Sequence, residues 1–135
     1  VIKQIQTLNP SVKTFFFPID LTDAASIRSA VERLLSHPEI KNIDVLINNA
    51  GVLGVPYTPI DAFKDEKGAS VELHFAANHL GPFLLTVLLM QRIRNSGPGA
   101  RIVNVSAGAY IFSEVKFDDL NFSVGAIAIL CDASR

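Results

Sequence analysis

The strongest constraint on this chain is the stretch DVLINNAGV, Asp44 to Val52. Ile43 to Asn48 form a near-continuous apolar run of the kind buried on both faces of a parallel sheet. The run then breaks into two amides, an alanine and a glycine. A buried strand has no use for paired asparagines at its end unless the backbone turns sharply there, a neighbour is tied down, or something approaches closely. Open parallel sheets take ligands at the carboxyl ends of their strands, which is where Asn48, Asn49, Ala50 and Gly51 fall. Asparagine amides offer donors and acceptors to neighbouring backbone, while Ala and Gly keep the surface low enough for a flat ligand to lie against it. Taken alone, the same residues also suit an Asn-Gly type of turn with no ligand.

The flanking sequence supplies an α/β frame. Val1, Ile2, Ile5 and Leu8 recur at helical spacing and stop at Asn9-Pro10. That helix opens directly in its apolar stripe without a capping residue, so sequence is expected upstream of it. Val12 to Ile19, VKTFFFPI, reads as a strand running into Asp20-Leu21-Thr22-Asp23. Thr22 or Asp23 is suited to cap the next helix, whose apolar face is Ile27, Ala30, Val31, Leu34 and Leu35 and which ends before Pro38. After Gly51 a proline-spotted loop is expected to about Gly68, then a long helix from about Ser70 to Asn95, the turn SGPGA, and a short buried strand from Arg101 to Ser106. Strand, long helix, strand is a βαβ unit with a right-handed crossover. Beyond Asn121 the pattern degrades to a short apolar strand or loop.

Composition narrows the function classes. A formal net charge of −1 offers no basic surface for a phosphate backbone or an acidic membrane. The longest apolar run, Pro82 to Met90, falls well short of the roughly 20 residues needed to span a bilayer. No charged-then-apolar leader opens the chain, which makes the cytoplasm the default expectation. Cys131 is the single cysteine and has no internal partner. His74 and His79 are spaced wrongly to share a helical face as metal ligands, and no other cluster suggests a metal.

Four segments in order, FPIDLTD (17–23), DVLINNAGV (44–52), FAANHLGPFLLT (75–86) and RIVNVSAGAY (101–110), resemble the middle of a short-chain dehydrogenase/reductase, closest to the retinol-dehydrogenase-like branch. The resemblance spans Val1 to about Phe122; residues 123–135 fall outside it. It implies a single Rossmann-type domain, a doubly wound parallel sheet in three α/β/α layers, here lacking its first two and last strands. It also implies NAD or NADP as cofactor, a small alcohol, ketone or aldehyde as substrate, and a possible homo-oligomer. By resemblance, Asn48, Ala50 and Gly51 line the adenine-ribose side of the cofactor site, Asn49 braces the sheet, and Asp20 and Leu21 hold the adenine ring. Asn78 matches the asparagine whose backbone carbonyl holds a water in the proton relay. The sequence gives a local reason for that: Pro82, four residues on, has no N–H to donate to the Asn78 carbonyl, so a kink or bound water is expected there.

Ser106 is the candidate for the hydroxyl that polarises the substrate oxygen. The family pattern is a Ser-Ser pair whose second member is catalytic, whereas this chain reads Ser106-Ala107; in normal register the catalytic position is Ala107, leaving Ser106 as a backbone-bonding residue at a strand end. Two further parts of the family are absent from the sequence. One is the Gly-rich turn that takes the pyrophosphate; the other is Tyr-x-x-x-Lys, since Tyr57 and Tyr110 are followed four residues on by Asp61 and Glu114. A neighbouring carboxylate makes a tyrosine less acidic, the reverse of what the proton transfer needs. The expectation is therefore the central segment of an NAD(P)-dependent oxidoreductase, inactive by itself, with exposed edges and apolar faces. The alternatives are a catalytically inert remnant, favoured by Ala107, and another doubly wound nucleotide-binding protein.

Overall fold

The computed structural model describes residues 2–108 and 115–121. Tyr110, Glu114, Cys131 and most of the degraded tail lie outside the described residues.

Helix α1, Ile2–Leu8, buries none of its residues. Its apolar stripe is laid out on the surface, with Ile2, Ile5 and Leu8 all exposed. The segment 12–19, expected to be a strand, pairs with no strand among the described residues. Its aromatic and β-branched composition favours a pleated surface, but without a ladder partner that preference has nothing to act on. It is held from the side: Phe15 and Phe17 pack on the ring of His37 at centroid separations of 4.2 and 5.9 Å, and Lys13 pairs with Glu39.

Helix α2, Ala24–Ser36, starts where Asp23 caps it, the carboxylate accepting from the Ala25 amide at 2.8 Å. Of the two capping candidates, Asp23 is the one used. Its buried side is Ile27, Ala30 and Val31, as the period predicts. Strand β1, Val45–Asn48, pairs in parallel with β4, Arg101–Asn104, in unbroken register from Val45↔Arg101 to Asn48↔Asn104. Both strands are shorter than the sequence suggests, β1 beginning two residues later than Ile43 and β4 ending two before Ser106.

Between them lies a feature the sequence reading missed. Residues 59–72, expected to be loop and helix start, form an antiparallel hairpin of β2, Pro59–Lys64, and β3, Ser70–Glu72, with an irregularity between Ile60 and Lys64. Asn121 closes the hairpin's edge: its Oδ1 accepts from the Glu72 amide at 3.1 Å and its Nδ2 donates to the Ser70 carbonyl at 3.2 Å. Helix α3 therefore starts at Leu73 rather than Ser70 and runs Leu73–Arg94. Glu72, 1% exposed, caps it through the His74 amide at 2.7 Å and also meets His74 Nδ1 at 2.9 Å.

By length and mean hydropathy alone, α3 qualifies as a membrane span, which the Pro82–Met90 run did not suggest. Part of its apolar surface packs within the domain. Leu89 and Ile93 join Val31 of α2 in the core, flanked by Leu46 of β1 and Ile102 of β4. Arg92 reinforces the layer by donating to the carbonyls of Leu35, Ile40 and Lys41 at 2.7, 3.3 and 2.6 Å, which fixes the α2–β1 connection. Helices α2 and α3 thus cover one face of the sheet. The opposite face carries Val45, Ile47 and Val103, all exposed, so the strand expected to be buried on both sides is covered on one among the described residues.

Candidate active-site cleft

The carboxyl ends of β1 and β4 open into a cleft of about 630 Å³. Asn48, Asn49, Ala50, Gly51, Asn78 and Ser106 all line it. Asp20 and Leu21 do not.

The pleat decides what each asparagine does. Asn48 shares a face with Leu46, toward α3, because side chains alternate along a strand. Its Nδ2 donates to Thr86 Oγ1 on α3 at 3.0 Å and to Asn104 Oδ1 on β4 at 2.8 Å, tying both strands to the helix beneath. The brace expected of Asn49 is therefore made by Asn48; Asn49 is exposed and makes no side-chain hydrogen bond among the described residues. Thr86 and Asn104 were not singled out from the sequence. Their signal was there: each is a lone polar residue inside an apolar run, PFLLTVLLM and IVNV.

Asn78 sits in the part of α3 where the helix changes type. Ala76–Leu80 is a π-helical turn, with the Gly81 amide reaching back to the Ala76 carbonyl. The irregularity expected from Pro82 is thus present, in the form of a widened turn. Single π turns inside α-helices are frequent at functional sites. The Asn78 amide locks onto the next loop: Oδ1 accepts from the Val52 amide at 2.7 Å and Nδ2 donates to the Val52 carbonyl at 2.9 Å. That two-way pairing imitates a rung of sheet and holds the segment after Gly51 against the helix. A Cβ at Gly51 would lie 3.0 Å from Asn78 Oδ1, so the glycine is what lets the loop sit this low.

The next helical residue, His79, also lines the cleft and stacks on Phe75 with centroids 5.3 Å apart and rings 7° from parallel. It is part of an aromatic row along α3 with Phe75 and Phe83, and no group of three or more metal-ligating side chains occurs among the described residues.

Asp20 makes its own turn. Its Oδ1 accepts from the amide and the hydroxyl of Thr22 at 2.8 and 2.6 Å, and its amide donates to Ser26 Oγ at 2.9 Å. The Thr22 hydroxyl, then the Thr22 amide, hold the Asp20 carboxyl below the usual carboxylate range. Leu21 in this turn lies against Gly81 of α3, so the turn is connected to the cleft through the helix.

Ser106 and Ala107 follow β4 at the rim of the cleft. The β1–β4 ladder is regular to its end and Val105 still donates to the Asn48 carbonyl at 3.0 Å, so no bulge interrupts the chain between β4 and Ser106. Ser106 is exposed and its hydroxyl makes no hydrogen bond among the described residues, contrary to its reading as a backbone-bonding serine.

Comparison with known proteins agrees with this geometry. A family model described as short chain dehydrogenase matches residues 1–115. Retinol dehydrogenase 12 of Mus musculus is 46% identical over 103 residues, covering 76% of this chain and 29% of that protein. Retinol dehydrogenase 11 of Homo sapiens is 40% identical over 121 residues, covering 89% of this chain and 35% of that protein. This chain therefore spans about a third of the length of these relatives. Among solved structures, an uncharacterised protein from Mycobacterium paratuberculosis matches with a TM-score of 0.58 at 32% identity, covering 80% of this chain and 34% of that one. The NADPH-bound carbonyl reductase from chicken fatty liver matches with a TM-score of 0.54 at 21% identity, covering 80% and 41%, which is a likeness of fold. With the family model over most of its length and the asparagine-lined cleft at its strand ends, the chain belongs to the short-chain dehydrogenase family.

Proposed function

We propose that this chain is the central part of an NAD(P)-dependent oxidoreductase that moves hydride between nicotinamide and an alcohol or carbonyl. The observation that carries the reading is the cleft itself, where Asn48, Gly51, Asn78 and Ser106 converge at the ends of two parallel strands. The residues suit a dinucleotide: Ala50 and Gly51 leave a low floor that a Cβ at position 51 would begin to fill. In this reading Asn48, Ala50 and Gly51 face the adenine-ribose side, Asn49 presents its free amide to the cleft, and Asp20 and Leu21 border the adenine. The cofactor supplies the hydride chemistry. The chain supplies shape and orientation, with Asn78 fixing the loop and offering a carbonyl that Pro82 cannot satisfy.

The Gly-rich turn and Tyr-x-x-x-Lys would have to come from outside this sequence. Ala107 favours a second reading, a remnant that keeps the fold without the catalytic hydroxyl. The two separate in a turnover screen of the natural full-length protein with NADH and NADPH against small aldehydes, ketones and retinal, the last because the relatives above are retinol dehydrogenases. Turnover that rises on Ala107→Ser supports the oxidoreductase. No turnover by either form leaves the remnant.

A further inference from the structure

Gly81 is buried near the π turn of α3, and its backbone is ordinary right-handed helix, φ −61° and ψ −54°. Any residue adopts that conformation, so nothing in the dihedrals calls for glycine. Glycine inside a helix costs about 1 kcal/mol relative to alanine. The reason for bearing that cost is steric: a Cβ at position 81 would lie 2.1 Å from the Leu21 carbonyl oxygen and 2.9 Å from both the carbonyl carbon and Cβ of Leu21. The main chain of the 20–23 turn rests directly on the helix.

The turn has little room to retreat. Asp20 accepts twice from Thr22, its amide is held by Ser26, the Asp23 amide donates to the Asp20 carbonyl at 3.2 Å, and Asp23 is itself the cap of α2. Three residues before Gly81, Asn78 grips Val52 in the loop after β1. The short span 78–81 therefore touches both the turn at Leu21 and the loop at Val52, and it sets the separation between them.

We infer that Gly81 is a positioning residue for the adenine half of the dinucleotide site, acting through the Leu21 main chain. This rests on the oxidoreductase reading above. A side chain at position 81 pushes Leu21 outward while leaving the Asn78–Val52 pairing on the other side of the turn in place, so the effect falls on adenine binding and not on the hydride step.

The test is steady-state kinetics of the full-length protein with its preferred dinucleotide, using AMP as a competitive inhibitor. For Gly81→Ala, the inhibition constant of AMP and the KM of the dinucleotide rise about tenfold, while kcat at saturation and the KM of the carbonyl substrate stay within about twofold. A fall in kcat alone, tracking the folded fraction with KM and AMP inhibition unchanged, overturns the inference and makes Gly81 a folding residue. Should Gly81→Ala not accumulate, the double substitution Gly81→Ala with Ser26→Ala releases the Asp20 amide so that the turn can withdraw from the overlap with the Leu21 carbonyl, and the same constants are read. Failure of that variant to fold also overturns the positioning role. Wild-type protein that neither turns over a dinucleotide nor binds AMP removes the oxidoreductase reading and this inference with it. An active enzyme whose AMP inhibition is indifferent to Gly81→Ala removes the inference alone.

Discussion

The substitution Asn78→Asp exchanges one amide nitrogen for an oxygen and tests how the cleft is held. In the wild type, Oδ1 accepts from the Val52 amide and Nδ2 donates to the Val52 carbonyl, at 2.7 and 2.9 Å. The carboxylate keeps the first bond and turns the second into an oxygen facing an oxygen. Losing a hydrogen bond of about 1 kcal/mol and adding a comparable repulsion at a partly solvated site gives a cost of about 2 kcal/mol at neutral pH. Once protonated, the introduced carboxyl donates to the Val52 carbonyl and restores the pairing. The neutral form is therefore the favoured one when folded, which raises the carboxyl's folded pKa above its unfolded value. Taking about 1.4 kcal/mol per pH unit, 2 kcal/mol places that titration near pH ~5.4, against about 3.9 in the unfolded chain. The sign follows: the pairing's contribution is fully present below pH ~3.9 and is lost as pH rises through ~5.4. The assay is hydrogen exchange at the Val52 amide in full-length protein, wild type and variant side by side, so that other acid-sensitive groups cancel. The variant exchanges about thirtyfold faster than wild type at pH 7, and the ratio shrinks toward one by pH ~4. A ratio that does not change with pH, or equal exchange at pH 7, refutes the Asn78 clamp.

Other outcomes follow from the same contacts. Asn48→Ala removes two hydrogen bonds whose partners are partly able to rehydrate, so full-length protein loses about 1–2 kcal/mol in urea unfolding; a double-mutant cycle with Thr86→Val returns a coupling of about 0.5–1 kcal/mol, and zero coupling would place the brace elsewhere. Glu72→Ala removes a buried cap and its His74 contact, costing about 2–3 kcal/mol, whereas Glu72→Gln, which keeps an acceptor for the His74 amide, costs about 1 kcal/mol; equal costs would show that the cap is not the source. The isolated 135-residue chain, with Ile47 59% and Phe83 62% exposed, self-associates and melts without a sharp transition. A cooperative transition in a monomer is the contrary result.

The parts of the fold legible in the sequence are those where a single period governs. Helix α2 buries Ile27, Ala30 and Val31 because 3.6-residue spacing leaves no other face to bury. The turn at SGPGA is read from its glycines, and Gly97 indeed takes φ +96°. Pro82 announces the disturbed turn around Asn78, though not that it takes the π form. The segment 12–19 misleads because β propensity is a statement about neighbours, and its neighbours are not among the described residues. The hairpin of β2 and β3 was hidden by Pro56 and Pro59 and by a strand, Ser70–Glu72, with no apolar alternation to mark it. Its last residue doubles as the cap of α3, and Glu is not among the residues that ordinarily signal a helix start. That Asn48 rather than Asn49 makes the brace was legible in principle: Asn48 lies in phase with Leu46, and only that phase reaches Thr86.

The sheet places the cleft, but α3 gives it its shape. Thr86 takes Asn48, Asn78 takes Val52, and Gly81 takes the Leu21 main chain, so three separate chain segments are referred to one helix within about two and a half turns. The two-stranded ladder could not do this alone, because its register ends at Asn48 and Asn104 and reaches neither Val52 nor Leu21. A π turn lengthens the helix path between Asn78 and its α-helical continuation, which is how one side chain reaches Val52 while the backbone three residues later lies flush with Leu21. The polar side chains that line the cleft are correspondingly amides and the Thr86 and Ser106 hydroxyls, beside the imidazole of His79; Asn48, Asn78 and Gly81, which hold it in shape, have no titratable side chain. This stretch of the family thus answers to distance more than to acidity, and Ala107, at the rim where a hydroxyl is expected, is the position where the two requirements part.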